Sequence, residues 1–441
     1  MPSYATFVDL KVNAAEQFKE SVSESDANTN LFLTFGKVAA WANEASPDTA
    51  NTCVATVREI WSNMIGGKKI LGGDMHHVIP RIDWTANTVY TAYDDMLPGL
   101  CETNFYAMNS DYSVYKCISN NRGALSTVEP TSVNPAITSS TSDGYVWKYL
   151  YTVSDAEKLR FTTDGYIPVE TLSADDGSLQ WQVQSEAEDG TIDAIYLSNV
   201  GIGYANSSNI TISISGDGQD AAAQATVNTT TNTISSIIIT NPGTDYTYAT
   251  VTITDAGSGA YAAGRAIISP PGGHGSNPLY ELCGRNIMIN AKFRYDEDGV
   301  FPTTNDFRQI ALVKDPISAL TSNVATNTAF FQAFSLITSG TGSYAQDEIV
   351  YQGASPSSYT FKGRVVSWNA TTGQIKIINT DGEPTAALSL VGVTSTTSRT
   401  VSSVTHGVME PRTGRVLFVD NIEPVTRSDD QIEDFRIVVK F

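Results

Sequence analysis

The sequence predicts a mainly β, multi-domain protein: β-sandwich layers with a few helices, plus two small all-β insertion domains. Three observations carry that class. Apolar residues make up 41% of the chain and charged residues only 17%, both below the usual globular share, with Ser, Thr, Asn and Gly taking up the difference. That mixture suits strands with Thr and Ser on their solvent faces and Gly, Asn and Asp at their turns. Short alternating segments such as VYKCIS (114–119) and YVWKYLYTV (145–153) recur along the chain and read as half-buried strands. Finally, 441 residues call for two or three cores, because a single core stops growing near about 250–300 residues.

Taken in order, the first helix is expected to start at Asn13, which would cap it while Glu16 reaches back as a capping box. A second helix is expected over about 52–65. Val54, Val57, Trp61, Met64 and Ile65 fall there on one face, and Gly66-Gly67 would end it. From Lys68 the pattern turns to strands and loops, with one short helical turn signalled by Ser154 and Glu157.

An internal repeat follows, with a period of about 42 residues. IDAIYLSNVGIGYANSSNITISI (192–214) aligns with ISSIIITNPGTDYTYATVTIT (234–254). Each copy is an alternating strand, an Asn-x-Gly turn (Asn199-Val200-Gly201; Asn241-Pro242-Gly243), a Tyr and a Thr/Ile strand. An Ala-rich strand completes each (AAAQATV, 221–227; YAAGRAII, 261–268), small residues that fit where packing is tight. Two copies make a small β-domain rather than a solenoid, and SPPGGHGSNP (269–278) is a Pro/Gly hinge returning the chain to its main part. Farther on, DEIVYQG (347–353), FKGRVVSWN (361–369) and QIKIINTDG (374–382) read as successive strands of a five- or six-stranded barrel or sandwich.

Net charge is −20, from 47 acidic and 27 basic residues. This argues against sequence-independent nucleic-acid binding and against an anionic membrane surface, both of which need Lys and Arg. No stretch approaches 18 consecutive apolar residues, so no membrane-spanning helix is expected. The four cysteines, Cys53, Cys101, Cys117 and Cys283, lack a C-x-x-C pair, and MPSYATFVDLK has neither a basic start nor an apolar run. Reduced, partly buried thiols are the expectation.

A search for catalytic patterns returns no nucleophile elbow, zinc-protease helix, phosphate loop or dinucleotide fingerprint. His76-His77, with Asp74 close by, is the one histidine cluster. Neighbours on a strand point to opposite faces, so the pair would not chelate one ion. His274, between Gly273 and Gly275, is expected to satisfy loop backbone. Asp296-Glu297-Asp298-Gly299 lacks the calcium-loop frame and reads as a hairpin turn. Gly216-Asp217-Gly218-Gln219-Asp220 resembles one calcium nonapeptide without the stacked copies such sites need. Asp429, Asp430, Glu433 and Asp434 read as a charged turn before the final strand. The expectation is no catalytic, cofactor-binding or metal residue, no cofactor, and no enzyme.

Aromatics are plentiful, with 20 Tyr, 16 Phe and 6 Trp. Trp41, Trp61, Trp84 and Trp147 are expected in cores. Tyr204 and Tyr246 recur at matching repeat positions and are expected to pack under the Asn-x-Gly turns rather than stack on sugars. Tyrosines of NFYAMNSDYSVY (104–115) are candidates for a subunit contact.

Seven blocks add a further signal: FLTFGKVAAW (32–41), IWSNMIGGKKIL (60–71), VIPRIDW (78–84), VYKCIS (114–119), DGYVWKYLY (143–151), FRQIALVKDP (307–316) and GRVLFVDNIEPVTRSDDQIEDFRIVVKF (414–441). In this order they resemble the baseplate wedge subunit of T4-like contractile-tail phages, the gene product eight family, and the last block looks like that family's C-terminal hairpin. Two segments have no counterpart there. The expected organisation is therefore a wedge core (1–187, 271–330 and 406–441) interrupted by a two-repeat β-domain (188–270) and a barrel- or sandwich-like domain (331–405). The resemblance implies a structural, homodimeric component of a phage tail baseplate, assembled in the host cytoplasm. It would link other wedge proteins during assembly and host-triggered rearrangement. Rival readings are a carbohydrate-binding adsorption protein, motivated by the Thr/Asn/Tyr-rich insertions, and a tail-associated glycosidase.

Overall fold

The segment LFLTFG is apolar at nearly every position, and the strand it forms, Leu31–Gly36, is buried along its whole length. Such a strand belongs inside a sheet, since neither face nor edge tolerates water. In the computed structural model, which describes residues 7–23, 29–136, 141–294, 306–426 and 431–441, it is the centre of a five-stranded sheet. The order is Ala329–Phe331, Met64–Ile70, Leu31–Gly36, Phe307–Lys314 and Arg415–Val425. The chain divides into two compact units, one holding residues up to Glu16, His76–Met288 and Val438–Phe441, the other Gln17–Met75 and Ile289–Ile437. This sheet lies in the second.

Helix Val54–Asn63 places Ile60 and Trp61 in a core with Phe32, Met64, Ala311, Val313, Phe330 and Met409. It ends earlier than expected. The chain passes straight into the strand at Met64, and Gly66 and Gly67 are strand residues rather than a stop. The glycines serve packing: a Cβ on Gly67 would sit 2.8 Å from the Phe330 ring. Val54, expected on the apolar face, is 70% exposed. The N-terminal helix runs Val8–Ser23 with Val12 and Ala15 buried. Asn13 and Glu16 are therefore interior to the helix and do not cap it; Glu16 instead accepts a hydrogen bond from the Tyr280 hydroxyl at 2.6 Å.

Also in the second unit, strands Phe334–Ser339, Gln374–Gly382, Ser358–Asn369, Ile349–Ser355, Ser389–Gly392 and Ser398–Thr405 close into a six-stranded barrel. Leu336, Val350, Phe361, Val365, Ile375, Ile377, Leu390 and Val401 are all buried in one cluster, as in small barrels filled by their own side chains. The expected C-terminal hairpin is not formed among the described residues. Arg415–Val425 pairs with Phe307–Lys314, whereas Ile432–Lys440 lies beside Asn286–Arg294. Each of the two strands takes the edge of a different sheet.

The first unit holds the antiparallel sheet Tyr106–Met108, Ser113–Asn120 and Tyr145–Thr152. Alternation here does not mean half-burial, because both faces are covered. Val114 and Leu150 join a cluster with Phe105, Tyr106 and Met108; Tyr115, Cys117, Tyr145 and Trp147 join another. Even Lys116 and Lys148 are buried. Tyr106 and Tyr115 are thus core residues and cannot serve a subunit contact; Tyr112 is only partly buried. Trp61 and Trp147 are buried as expected; Trp41 and Trp84 are partly buried, Trp84 packing against the Tyr90–Trp147 core, and each donates its indole N–H, to the Ile422 carbonyl and the Ser126 hydroxyl respectively. Reduced thiols are not the outcome at two positions: Cys101 and Cys283 form a disulfide with Cα atoms 6.0 Å apart, while Cys53 and Cys117 are free. The fold brings the two together inside the Phe105–Leu279 core, a proximity that spacing along the chain does not reveal.

The two repeats interlock. The first strand of the first copy, Ile192–Ile202, pairs with the last strand of the second, Ala260–Ile268. Reciprocally, Ala222–Asn228 pairs with Thr233–Asn241, and the middle strands Ile210–Gly216 and Ala249–Asp255 pair with each other. Two matching cores result, one around Tyr204 and one around Tyr246. Entry and exit are adjacent, since Ser269 N–H donates to the Thr191 carbonyl at 2.9 Å.

Candidate functional site

Strand Met75–Pro80 carries His76 and His77 to opposite faces, as its twofold alternation requires. His77 turns inward, its Nδ1 2.9 Å from the Gly284 carbonyl. His76 meets two carboxylates that sequence spacing gave no reason to connect with it. Its Nε2 is 3.3 Å from Glu157 Oε1 and 3.5 Å from Glu170 Oε2, and its Nδ1 is 2.9 Å from the His77 carbonyl.

Each partner is placed by local structure. Glu157 is the third residue of helix Asp155–Phe161, where its Oε2 accepts from the Ser154 N–H and hydroxyl at 2.9 and 2.6 Å; the expected short helical turn is present, and a capping box closes it. Tyr166–Pro168 pairs antiparallel with Met75–Pro80, Val78 facing Pro168. Continuing that register past Val169, whose N–H donates to the His77 carbonyl at 3.0 Å, brings Glu170 opposite His76. The Phe161 ring covers the imidazole, with centroids 5.0 Å apart. Burial alone would depress the His76 pKa, but the neighbouring Glu157 and Glu170 carboxylates outweigh it and lift it to about 9. Glu157 is only partly buried, and although burial works the other way, the imidazole and Ser154 hold its carboxyl below the ordinary value. Asp74 is not a partner: its carboxylate accepts from the Leu71 N–H at 3.0 Å.

A second polar cluster sits under the hinge. Lys116 Nζ is 2.8 Å from Glu281 Oε2, the two side chains 0% and 3% exposed. Glu281 Oε1 accepts the N–H groups of Gly275 and Asn277 at 2.8 and 3.2 Å, and the ammonium lies 4.1 Å above the Tyr93 ring. His274 does not bond loop backbone as expected. It is buried edge-on against Tyr93, with Nε2 3.9 Å from Asp193 Oδ2 and Nδ1 without a hydrogen bond. Burial, reinforced by Lys116 and Lys148, drives its pKa well below 6.5, so the ring stays neutral. Burial likewise lowers Lys116 against the pull of Glu281, and raises Asp193. This arrangement is a structural tie.

The acidic turns are accounted for locally. Asp217 accepts from the Thr247 hydroxyl and from the Thr247 and Tyr248 N–H groups. Asp296-Glu297-Asp298-Gly299, Asp429 and Asp430 lie outside the described residues. Asp434 accepts from Asn290 and Arg436, and Glu433 is buried. Tyr204 and Tyr246 are buried, and a Cβ on Gly201 or Gly218 would come within 2.5 Å of the respective rings; neither ring is free to stack on a sugar.

Two comparisons bear on what such a chain is. Residues 5–129 match the family model described as "Bacteriophage T4, Gp8", a span containing the blocks FLTFGKVAAW, IWSNMIGGKKIL, VIPRIDW and VYKCIS. The baseplate wedge protein gp8 of Enterobacteria phage T4 is 24% identical over 209 residues, an alignment covering 37% of this chain and 63% of that protein. The match therefore spans a little under two thirds of the relative's length. On these two matches the chain is gp8-like, similar to a baseplate wedge subunit of the T4 type.

Proposed function

We propose that this chain is a structural subunit of a phage tail baseplate wedge. It acts as a homodimer that links other wedge proteins during assembly and through the rearrangement triggered by contact with a host. It is made in the host cytoplasm, ends up in the virion tail baseplate, and has no catalytic role. The observation that supports this most is the T4 wedge protein's similarity. The buried Lys116–Glu281 tie fits the same reading, since it fixes shape rather than presenting chemistry to a substrate. The wedge core comprises 1–187, 271–330 and 406–441; segments 188–270 and 331–405 are separately folded additions, a view supported by the adjacent entry and exit at Thr191 and Ser269. Co-expression with the other wedge proteins of the same phage, followed by sizing, tests the proposal. A stable complex containing two copies of this chain is expected, and a chain that runs alone as a monomer refutes it. A second reading, glycan contact by the repeat unit, has one observation in its favour: Tyr248 and Tyr261 are 62% and 76% exposed. A glycan array with the full chain and its Tyr248→Ala and Tyr261→Ala variants decides it. Turnover of host polysaccharide by the purified chain would instead establish the glycosidase alternative.

A further inference from the structure

The geometry around His76 points to a binding site for one divalent transition-metal cation of the Zn2+ class, with His76, Glu157 and Glu170 as ligands. One imidazole nitrogen and one oxygen from each carboxylate gather within 4.8 Å of one another. The two distances from Nε2, 3.3 and 3.5 Å, are long for a charge-assisted N–H···O bond, which closes to about 2.7–2.9 Å. They match the edge of a tetrahedron instead. Ligand atoms about 2.0–2.1 Å from a tetrahedral Zn2+ stand about 3.3–3.4 Å apart. A cation placed among the three groups would be within reach of a nitrogen that is nearly equidistant from the two oxygens.

The surroundings are those of a prepared ligand set. The His77 carbonyl at Nδ1 makes that nitrogen the N–H donor and leaves Nε2 facing the carboxylates, where a cation would take the place of its proton. Ser154 fixes the far oxygen of Glu157 and leaves Oε1 toward the imidazole. The Phe161 ring shields one side, while the Glu170 side chain, 44% exposed, opens the other to water as a fourth ligand. Nitrogen plus two carboxylates selects Zn2+ or a neighbouring transition ion over Ca2+, which takes six or more oxygens. A bound ion would clamp the end of Tyr166–Pro168 and the helix Asp155–Phe161 onto strand Met75–Pro80.

The test is isothermal titration of ZnCl2 into the full chain after EDTA stripping, with CoCl2 followed by visible absorption and CaCl2 as a control. One equivalent of Zn2+ is expected to bind, Co2+ to show the intense bands of a four-coordinate site, and Ca2+ to give no heat. Glu170→Gln alters a half-exposed side chain and keeps the fold. Glu157→Gln retains an oxygen for Ser154. Each is expected to weaken Zn2+ binding at least about tenfold and to abolish the metal-dependent rise in melting temperature. Absence of Zn2+ binding overturns the proposal. So does binding of equal strength in both variants, which would place the ion elsewhere, as at the exposed Cys53 or His406.

Discussion

Replacing Glu281 by Leu removes the counter-charge from a lysine with no route to water. In the native chain the Glu281 carboxylate meets Lys116 Nζ at 2.8 Å and accepts two backbone N–H groups of the hinge. Without it the ammonium must stay charged in a dry site or lose its proton. Bringing an ordinary lysine of pKa about 10.4 to neutrality at pH 7 costs about 4.6 kcal/mol, at about 1.36 kcal/mol per pH unit. That sets a ceiling on the charge penalty and agrees with the roughly 3–5 kcal/mol observed when one member of a buried pair is deleted. The hinge N–H groups at Gly275 and Asn277 add to it wherever water does not reach them. Glu281→Leu should therefore destabilise the first unit by about 3–5 kcal/mol. Lys116→Met together with Glu281→Leu should recover most of the loss, because a buried pair replaced by apolar side chains is often neutral. Urea titration, with hydrogen exchange read at strand Tyr145–Thr152, resolves this unit from the rest. A loss under about 1 kcal/mol, or a double variant no more stable than the single one, would refute the reasoning about a dry, mutually dependent pair.

Trp61→Ala should cost about 3–5 kcal/mol, because it empties a packed site beside Phe32 and Phe330; urea unfolding of the second unit measures it. The buried His274 has a pKa well below 6.5, so the folded chain binds fewer protons there than the unfolded one. Its contribution is complete above about pH 6.5 and falls as pH drops below that value. The urea midpoint should decline from pH 7 to pH 5.5, and His274→Gln should flatten that decline. Cys101→Ser should lower stability by roughly 2–5 kcal/mol, since the disulfide spans 182 residues of sequence and long loops gain most from closure; melting of the variant against the oxidised chain checks it.

What the sequence could and could not reveal follows from the range of the interactions. The capping box at Ser154 and Glu157, the repeat and the barrel strands depend on neighbours within one turn or one hairpin, and local pattern reports those. The end of the second helix is not legible locally: Gly66-Gly67 looks like a stop, whereas Phe330, more than 260 residues later, needs the space over Gly67. Likewise, alternation in VYKCIS signals a strand but not whether a second layer covers its polar face. Nothing short of the fold shows that Lys116 finds Glu281 or that Cys101 finds Cys283. At the candidate site, the opposite orientation of His76 and His77 follows from strand geometry alone. Glu157 carried a visible cue in its cap, but Glu170 comes into place only through the register of Tyr166–Pro168 against Met75–Pro80.

The exchange of strands between the two repeats has a consequence for how such a unit holds together. Because Ile192–Ile202 needs Ala260–Ile268, and Ala222–Asn228 needs Thr233–Asn241, a single copy leaves its outer strands unpaired and both small cores half-built. A chain carrying one copy would have to recruit a second molecule, and its integrity would then depend on protein concentration. Tandem duplication makes the partner covalent. A bimolecular association becomes an intramolecular closure at an effective concentration on the order of millimolar for a short linker. The joint between the copies, residues 229–232, is a four-residue turn that holds the reciprocal strands in the hairpin 222–241. Dilution therefore cannot separate the two halves, whatever the copy number of the whole chain.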